Sequence, residues 1–193
     1  MTMLYVNGDK HTMGAEAVTK FATAADDQRY EHLRGLPHPE NIAVSWGKLL
    51  SQLLKSSYHG KAELTNTNAK VAQATKEWAS THAGHQKLVI VQWGETSTPV
   101  EDHETIWQLH HFLSEQNVNH IFFNTTDIFS GIENQYDWGA SYLSPYDPSG
   151  SYVAKIKSAN IDTVMPESEY FGKNGHVFWS KTLLNHIIQN KMI

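Results

Sequence analysis

A three-layer α/β/α sandwich around a mainly parallel sheet is the fold class this sequence predicts, and two features predict it. Short apolar runs at residues 4–6, 62–64, 88–91 and 121–123 lack the strict alternation of half-exposed strands and are too short for core helices, so they read as strands buried on both faces. The longer segments between them carry the 3.6-residue period of helices with one apolar side. Strand and helix in alternation is the grammar of a sheet covered on both faces.

In chain order, the run at 4–6 opens the sheet, and Ile42, Leu49, Leu50, Leu53 and Leu54 then share a helix face. The run at 62–64 leads to a second face made by Val71, Ala74, Thr75 and Trp78, and the run at 88–91 to a third made by Ile106, Leu109, His110 and Leu113. Phe178, Leu183, Leu184, Ile187 and Ile188 make the last. Two irregular stretches interrupt the alternation: residues 22–41, with Gly35, Pro37 and Pro39, and residues 125–168, rich in Gly, Ser, Asp and Pro. Connections this long serve binding or carry short elements of their own. Ligands of open α/β sheets bind at the carboxyl ends of the strands, where both connections are expected.

With 193 residues, of which 40% are hydrophobic, the chain can bury the core of one compact domain spanning 1–193. The net charge of −5 and the scattered Lys and Arg argue against nucleic acid or an anionic membrane as partner. The absence of cysteine excludes disulfides and thiolate metal sites. No run approaches the roughly 18 apolar residues of a membrane span, and the opening segment lacks the basic-then-apolar order of a cleavable signal.

The site is read from four blocks. Leu4-Tyr5-Val6-Asn7-Gly8-Asp9-Lys10-His11-Thr12 is a strand pattern running into Gly-Asp. Thr65-Asn66-Thr67-Asn68-Ala69-Lys70-Val71 opens a helix, Gln92-Trp93-Gly94 follows a strand, and Glu167-Ser168-Glu169-Tyr170-Phe171-Gly172-Lys173-Asn174-Gly175-His176 leads into the last helix. In order and context these resemble the four blocks of the SGNH (GDSL-type) hydrolases, which implies a flavodoxin-like SGNH fold. The resemblance sets Lys10 at the serine position, Tyr170 at the base position and Glu167 at the acid position. Acyl transfer by serine needs a nucleophile, a base, an orienting acid and oxyanion donors. A lysine with a pKa of about 10.4 and a tyrosine with a pKa of about 10 supply neither nucleophile nor base at neutral pH. Gly94 lacks the amide side chain of an oxyanion donor, and Asn66 or Thr67 takes the place of a small glycine. Asn68 remains a candidate donor.

Val44-Ser45-Trp46-Gly47, His11-Thr12-Met13-Gly14-Ala15-Glu16-Ala17 and Asp137-Trp138-Gly139-Ala140-Ser141-Tyr142-Leu143-Ser144-Pro145-Tyr146-Asp147-Pro148 are similar to segments of SGNH-like proteins encoded by T4-like marine bacteriophages. This resemblance implies a phage protein, in the virion or as an accessory protein of the host cytoplasm, and the departures at Lys10 and Tyr170 from the serine and histidine such proteins keep make it catalytically degenerate and acting by binding. The implied partner is a virion protein, an SGNH homologue, or a small anionic or carbohydrate ligand. The candidate pocket comprises Asp9, Lys10, His11, Asn68, Gln92, Gly94, Glu167, Glu169 and Tyr170, with no cofactor expected. The alternative is an SGNH-family hydrolase of altered chemistry using Asp9, Lys10, His11, Glu167 and Tyr170.

An ammonium at the end of a buried strand needs solvent, deprotonation or a carboxylate. Glu167 or Glu169, with Tyr170 as acceptor, is expected to close the pocket as a buried ion pair with Lys10. His11 is a reserve base toward water, and His176 is expected to cap or pack. Of His103, His110 and His111 at most two share a helix face, so no metal site is expected there. The six tryptophans and the tyrosines from 136 to 152 fit a sugar- or protein-binding surface and the packing of the long loop equally well. Ser141 and Ser144 carry no signal of activation.

Overall fold

The computed structural model describes residues 2–33, 36–63 and 67–193. Four strands, β1 (Met3–Asn7), β2 (Ser57–Gly60), β3 (Lys87–Trp93) and β4 (Asn119–Asn124), form one sheet in the order β2-β1-β3-β4, with every neighbouring pair parallel. Leu4 and Val6, Leu88 and Ile90, and Ile121 and Phe123 project to one face. There they meet α2 (Trp46–Leu53), α5 (Tyr152–Ser158) and α6 (Lys173–Gln189) through Trp46, Leu50, Ile156, Trp179 and Leu183. Tyr5, Val89, Val91, Trp93 and Phe122 project to the other, against α3 (Asn68–Thr81) and α4 (Pro99–Glu115). Because both faces are covered, the strands read as apolar runs, and each fully buried Leu or Val stabilises the fold by about 1.5–3 kcal/mol.

Two expectations are corrected. The second strand is Ser57–Gly60, not 62–64: it is an edge strand with one neighbour, its sequence Ser-Tyr-His-Gly is half-buried, and it leaves no apolar run to read. Ala62 is buried in the connection beyond it, while Leu64, with Thr65 and Asn66 of the second block, lies outside the described residues, as does Gly35. The helix face running from Ile42 to Leu54 belongs to two helices, α1 (Pro39–Val44) and α2, broken at Ser45. Ser45 is extended (ψ 149°), and its hydroxyl donates to Ile42 O while accepting from Lys48 N as the cap of α2. A serine that satisfies both ends of a break competes with a continuous helix. Leu53 and Ile188 sit at the outer margins of their faces, 49% and 63% exposed.

The long connections carry short elements. Residues 22–41 contain 3-10 turns at Ala24–Asp26 and Gln28–Leu33, pinned where Asp27 accepts from Arg29 Nη2 (2.7 Å) and meets buried His38 Nε2 (3.3 Å). Residues 125–168 contain turns at Gly139–Ser141 and Pro148–Gly150 as well as α5. Trp138, Tyr142 and Tyr152 are buried in the two cores, so much of this aromatic segment is packing. Tyr142 also bridges to Phe122 beside β4.

The carboxyl end of β1 is fixed from below by Asn7. Its buried amide donates to Val71 O (3.2 Å), Thr75 Oγ1 (3.2 Å) and Tyr5 Oη (3.0 Å), and its Oδ1 accepts from Gly8 N (2.8 Å). Asn7→Ala leaves several of these groups buried without partners and should lower unfolding stability by about 2–4 kcal/mol in a urea titration, without shifting far-UV circular dichroism.

Candidate functional site

Beyond Asn7 the chain leaves the sheet through Gly8. Its φ of +152° and the space around it both demand glycine, since a Cβ would lie 2.3 Å from Thr12 Oγ1 and 2.8 Å from Gln92 O. Asp9 then organises a tight turn: its carbonyl accepts from Thr12 N (3.1 Å) and Met13 N (3.3 Å), and its Oδ1 accepts from His11 N (2.9 Å). This turn presents Asp9, Lys10 and His11 at the carboxyl edge of the sheet.

Beneath them lies a polar chain centred on Gln92, which is fully buried. Its Oε1 accepts from Thr12 Oγ1 (2.6 Å) and Trp46 Nε1 (3.2 Å), and its Nε2 donates to Thr125 Oγ1 (3.0 Å). Thr125 donates in turn to Asp9 Oδ2 (3.1 Å). The chain joins the β1 turn, α2, β3 and the end of β4. Gln92 therefore supports the pocket and does not line it.

The pocket itself is a cavity of about 400 Å³ lined by Asp9, Lys10, His11, Gly94, Glu95, Thr125, Thr126, Val153, Lys157 and Glu169. Lys10 Nζ forms an ion pair with Glu169 Oε1 and lies 5.2 Å from the centre of the Tyr170 ring. Partial burial works against the Lys10 charge, but hydrogen bonds to Glu169 and Tyr170 outweigh it and hold its pKa above the ordinary lysine value. The Lys10 hydrogen bond pulls the Glu169 carboxyl below its usual range. Burial raises the Tyr170 phenol, which stays protonated at neutral pH. His11 is 4% exposed, packs its ring against Tyr170 (5.1 Å) and Tyr152 (5.7 Å), and is held below the ordinary histidine pKa by burial, with Asp9 opposing.

Lys10, His11, Glu169 and Tyr170 are thus brought together, and Glu167 is not. Glu167 is exposed and lines no part of the pocket, because the Ser168 N–Met165 O turn carries it outward while the next residues fold back against Ala17 and Lys10. The expectation of a buried pair is also corrected: the Lys10 and Glu169 side chains are 35% and 51% exposed, so the pair lies at the rim of an open pocket.

Asn68 is close by but engaged. Its Nδ2 donates to Asp102 Oδ2 (2.7 Å) and Gly94 O (3.2 Å), and its Oδ1 accepts from Gly94 N (3.1 Å), so it clamps the end of β3 to α3 and α4. Gly94 permits the close approach of Asp9, whose Oδ2 would stand 3.1 Å from an added Cβ. His176 accepts from Trp46 N at Nδ1 (3.2 Å), the donor freed by the break at Ser45, and burial, with nearby His11, lowers its pKa to about 3. It is a neutral packing residue. Neither pocket hydroxyl donates to a histidine: Thr125 donates to Asp9, and Thr126 makes no hydrogen bond among the described residues. His103, His110 and His111 form no group able to hold a metal among the described residues.

Thr12, Trp46 and Thr125 escaped the sequence reading. Each is a polar group on an otherwise apolar or turn segment, and what they share is Gln92.

The parallel sheet and its flanking helices match the fold of GDSL/SGNH lipolytic proteins and esterases. A protein from Desulfitobacterium hafniense DCB-2, described as lipolytic and of the G-D-S-L family, superposes with a TM-score of 0.59 at 13% identity, covering 96% of this chain and 99% of its own. The psychrotrophic esterase EstA from a Pseudoalteromonas species, in a structure inhibited by monoethylphosphonate, gives a TM-score of 0.56 at 10% identity over 97% of each chain. No family model matches the chain, and no curated protein matches it in sequence. At these identities the likeness is one of fold. No helix of the described residues is long and apolar enough to cross a membrane.

Exposed ion pairs contribute about 1 kcal/mol or less. A double-mutant cycle of Lys10→Met and Glu169→Gln should therefore give a coupling of about 1 kcal/mol or less that shrinks in salt, as measured by urea unfolding. Gln92→Leu, which leaves the buried Thr12 hydroxyl and Trp46 indole N–H without their acceptor, should cost several times more than Lys10→Met.

Proposed function

We propose that this chain is a catalytically degenerate SGNH-hydrolase-like protein that works by binding at the strand-end pocket. One observation carries the reading. The residue that the sequence resemblance sets at the nucleophile position is Lys10, a protonated amine engaged by Glu169 and Tyr170, and no pocket hydroxyl is paired with a histidine. Without a nucleophile and its base, most of the acceleration of a serine hydrolase is lost.

The mixed charge of the pocket suits a small anionic or carbohydrate ligand: Lys10, Lys157 and Thr126 offer donors, while Asp9 and Glu95 offer acceptors. The likeness of residues 11–17, 44–47 and 137–148 to phage-encoded SGNH-like proteins supports a role in the virion, or as an accessory protein paired with a virion component or an SGNH homologue. A hydrolase of altered chemistry is the second reading. It is favoured by His11, a buried, neutral imidazole against the cavity with Asp9 two residues earlier.

One assay separates the two. The purified chain should not hydrolyse short-chain p-nitrophenyl esters above the buffer rate, and its intact mass should be unchanged by a fluorophosphonate probe. Turnover that Lys10→Ala abolishes would overturn the binding reading, and turnover that survives Lys10→Ala but is lost in His11→Gln would establish the second.

A further inference from the structure

We infer that the Tyr136–Trp138 stretch of the long aromatic loop is held closed by a proton-sensitive latch centred on His103, which loosens that stretch when His103 takes up a proton. The ring of Tyr136 is inserted between two side chains one turn apart on α4, His103 (centroids 4.7 Å apart, 8° between planes) and Trp107 (4.3 Å, 9°). Tyr136 Oη donates to Glu104 Oε2 (2.6 Å). Behind this stack is a single hub, the hydroxyl oxygen of Tyr146. It accepts from Tyr136 N (2.8 Å) and from Trp138 Nε1 (2.8 Å), and it lies 2.9 Å from His103 Nε2.

Counting protons fixes the state of the histidine. A phenol has one proton and two acceptor positions. Both acceptor positions are taken by N–H donors that cannot reverse their direction, so the phenol proton must go to His103. Nε2 of His103 is therefore an acceptor in the closed segment, and the ring is neutral. Protonating it sets an N–H against an oxygen with no remaining acceptor position, and one of the three hub bonds must break.

The groups facing His103 are its helix neighbours Glu101 and Glu104, Glu133 across the adjoining cavity, and the loop rings of Phe129, Tyr136, Trp138 and Tyr146. Asp102 is engaged by Asn68 of α3. Burial lowers the pKa of His103, with Glu104 opposing. A second neutral pair lies two turns on. His120 Nδ1 must donate to Val118 O (2.8 Å), which leaves its Nε2 to accept from His110 Nδ1 (2.8 Å). Burial lowers the pKa of His110, with His111 adding to the shift and Asp137 opposing, and it brings His120 to about 4, with Val118 opposing and His110 adding.

For a histidine whose pKa is depressed in the closed state, closure is fully stable above the open-state value of about 6.5. Closure then weakens by up to about tenfold per pH unit for each such residue as pH falls toward the depressed value.

Hydrogen exchange read by NMR on the full chain tests the latch. Between pH 7 and pH 5, the protection factor of the Tyr136 amide, corrected for intrinsic exchange, should fall at least about tenfold, while Val6 and Ile90 in the sheet keep theirs. In His103→Gln, whose carbonyl accepts the same phenol hydrogen bond without titrating, the fall in Tyr136 protection between pH 7 and pH 5 should be clearly smaller than in the unaltered protein. The imidazole nitrogen shifts of the unaltered protein at pH 7.5 should show Nε2 of His103 without a proton. An Nε2-protonated tautomer, constant Tyr136 protection, or a parallel loss in the sheet would each overturn the proposal, whether or not His103→Gln folds.

Discussion

The carboxamide of Gln92 is the constraint on which the strand-end architecture depends. It lies at the carboxyl end of a central strand, out of reach of water, where an unpaired amide is costly. Each of its bonds reaches a different element: Thr12 in the turn after β1, Trp46 at the start of α2, and Thr125 after β4. The position of Asp9 follows, because Thr125 passes the same chain of hydrogen bonds to its carboxylate. A network with every member satisfied tolerates little displacement, so the pocket above it rests on a rigid floor.

Backbone space matters as much as hydrogen bonding. Gly8 brings the β1 turn against the Gln92 backbone, and Gly94 lets the end of β3 lie beside Asp9. The break at Ser45 releases the Trp46 amide to His176 while the indole of the same residue reaches Gln92, so one residue links α2 to α6 and to the polar floor. By contrast, the charged groups of the rim are loosely held. Lys10 and Glu169 meet partly in solvent, where a charge can be re-paired at little cost.

The histidines divide by environment rather than by position in the sequence. His176 and His120 are buried acceptors of N–H bonds, His103 accepts a phenol proton, and His11 faces the cavity. Desolvation disfavours the cationic form of each, so these rings serve as neutral parts of a packed structure in which proton uptake is a structural event.

The sequence alone determined the class of fold and most of its elements. A strand buried on both faces must be apolar throughout, and a helix on a sheet must repeat its apolar positions every 3.6 residues; both rules are local and legible at β1, β3, β4, α3, α4 and α6. It also placed Asp9, Lys10, His11, Gly94, Glu169 and Tyr170 near one edge, because their positions follow from strand ends and from order along the chain. The edge strand at Ser57–Gly60 was not legible, since an edge with one neighbour needs no apolar run. Only the tertiary structure decided that Lys10 pairs with Glu169 and not Glu167, that Asn68 is a clamp, and that Thr12, Trp46 and Thr125 converge on Gln92. Those are choices between chemically equivalent side chains, and they are settled by which direction a turn faces and by which donors lie across the sheet, distances that neighbours in sequence do not specify.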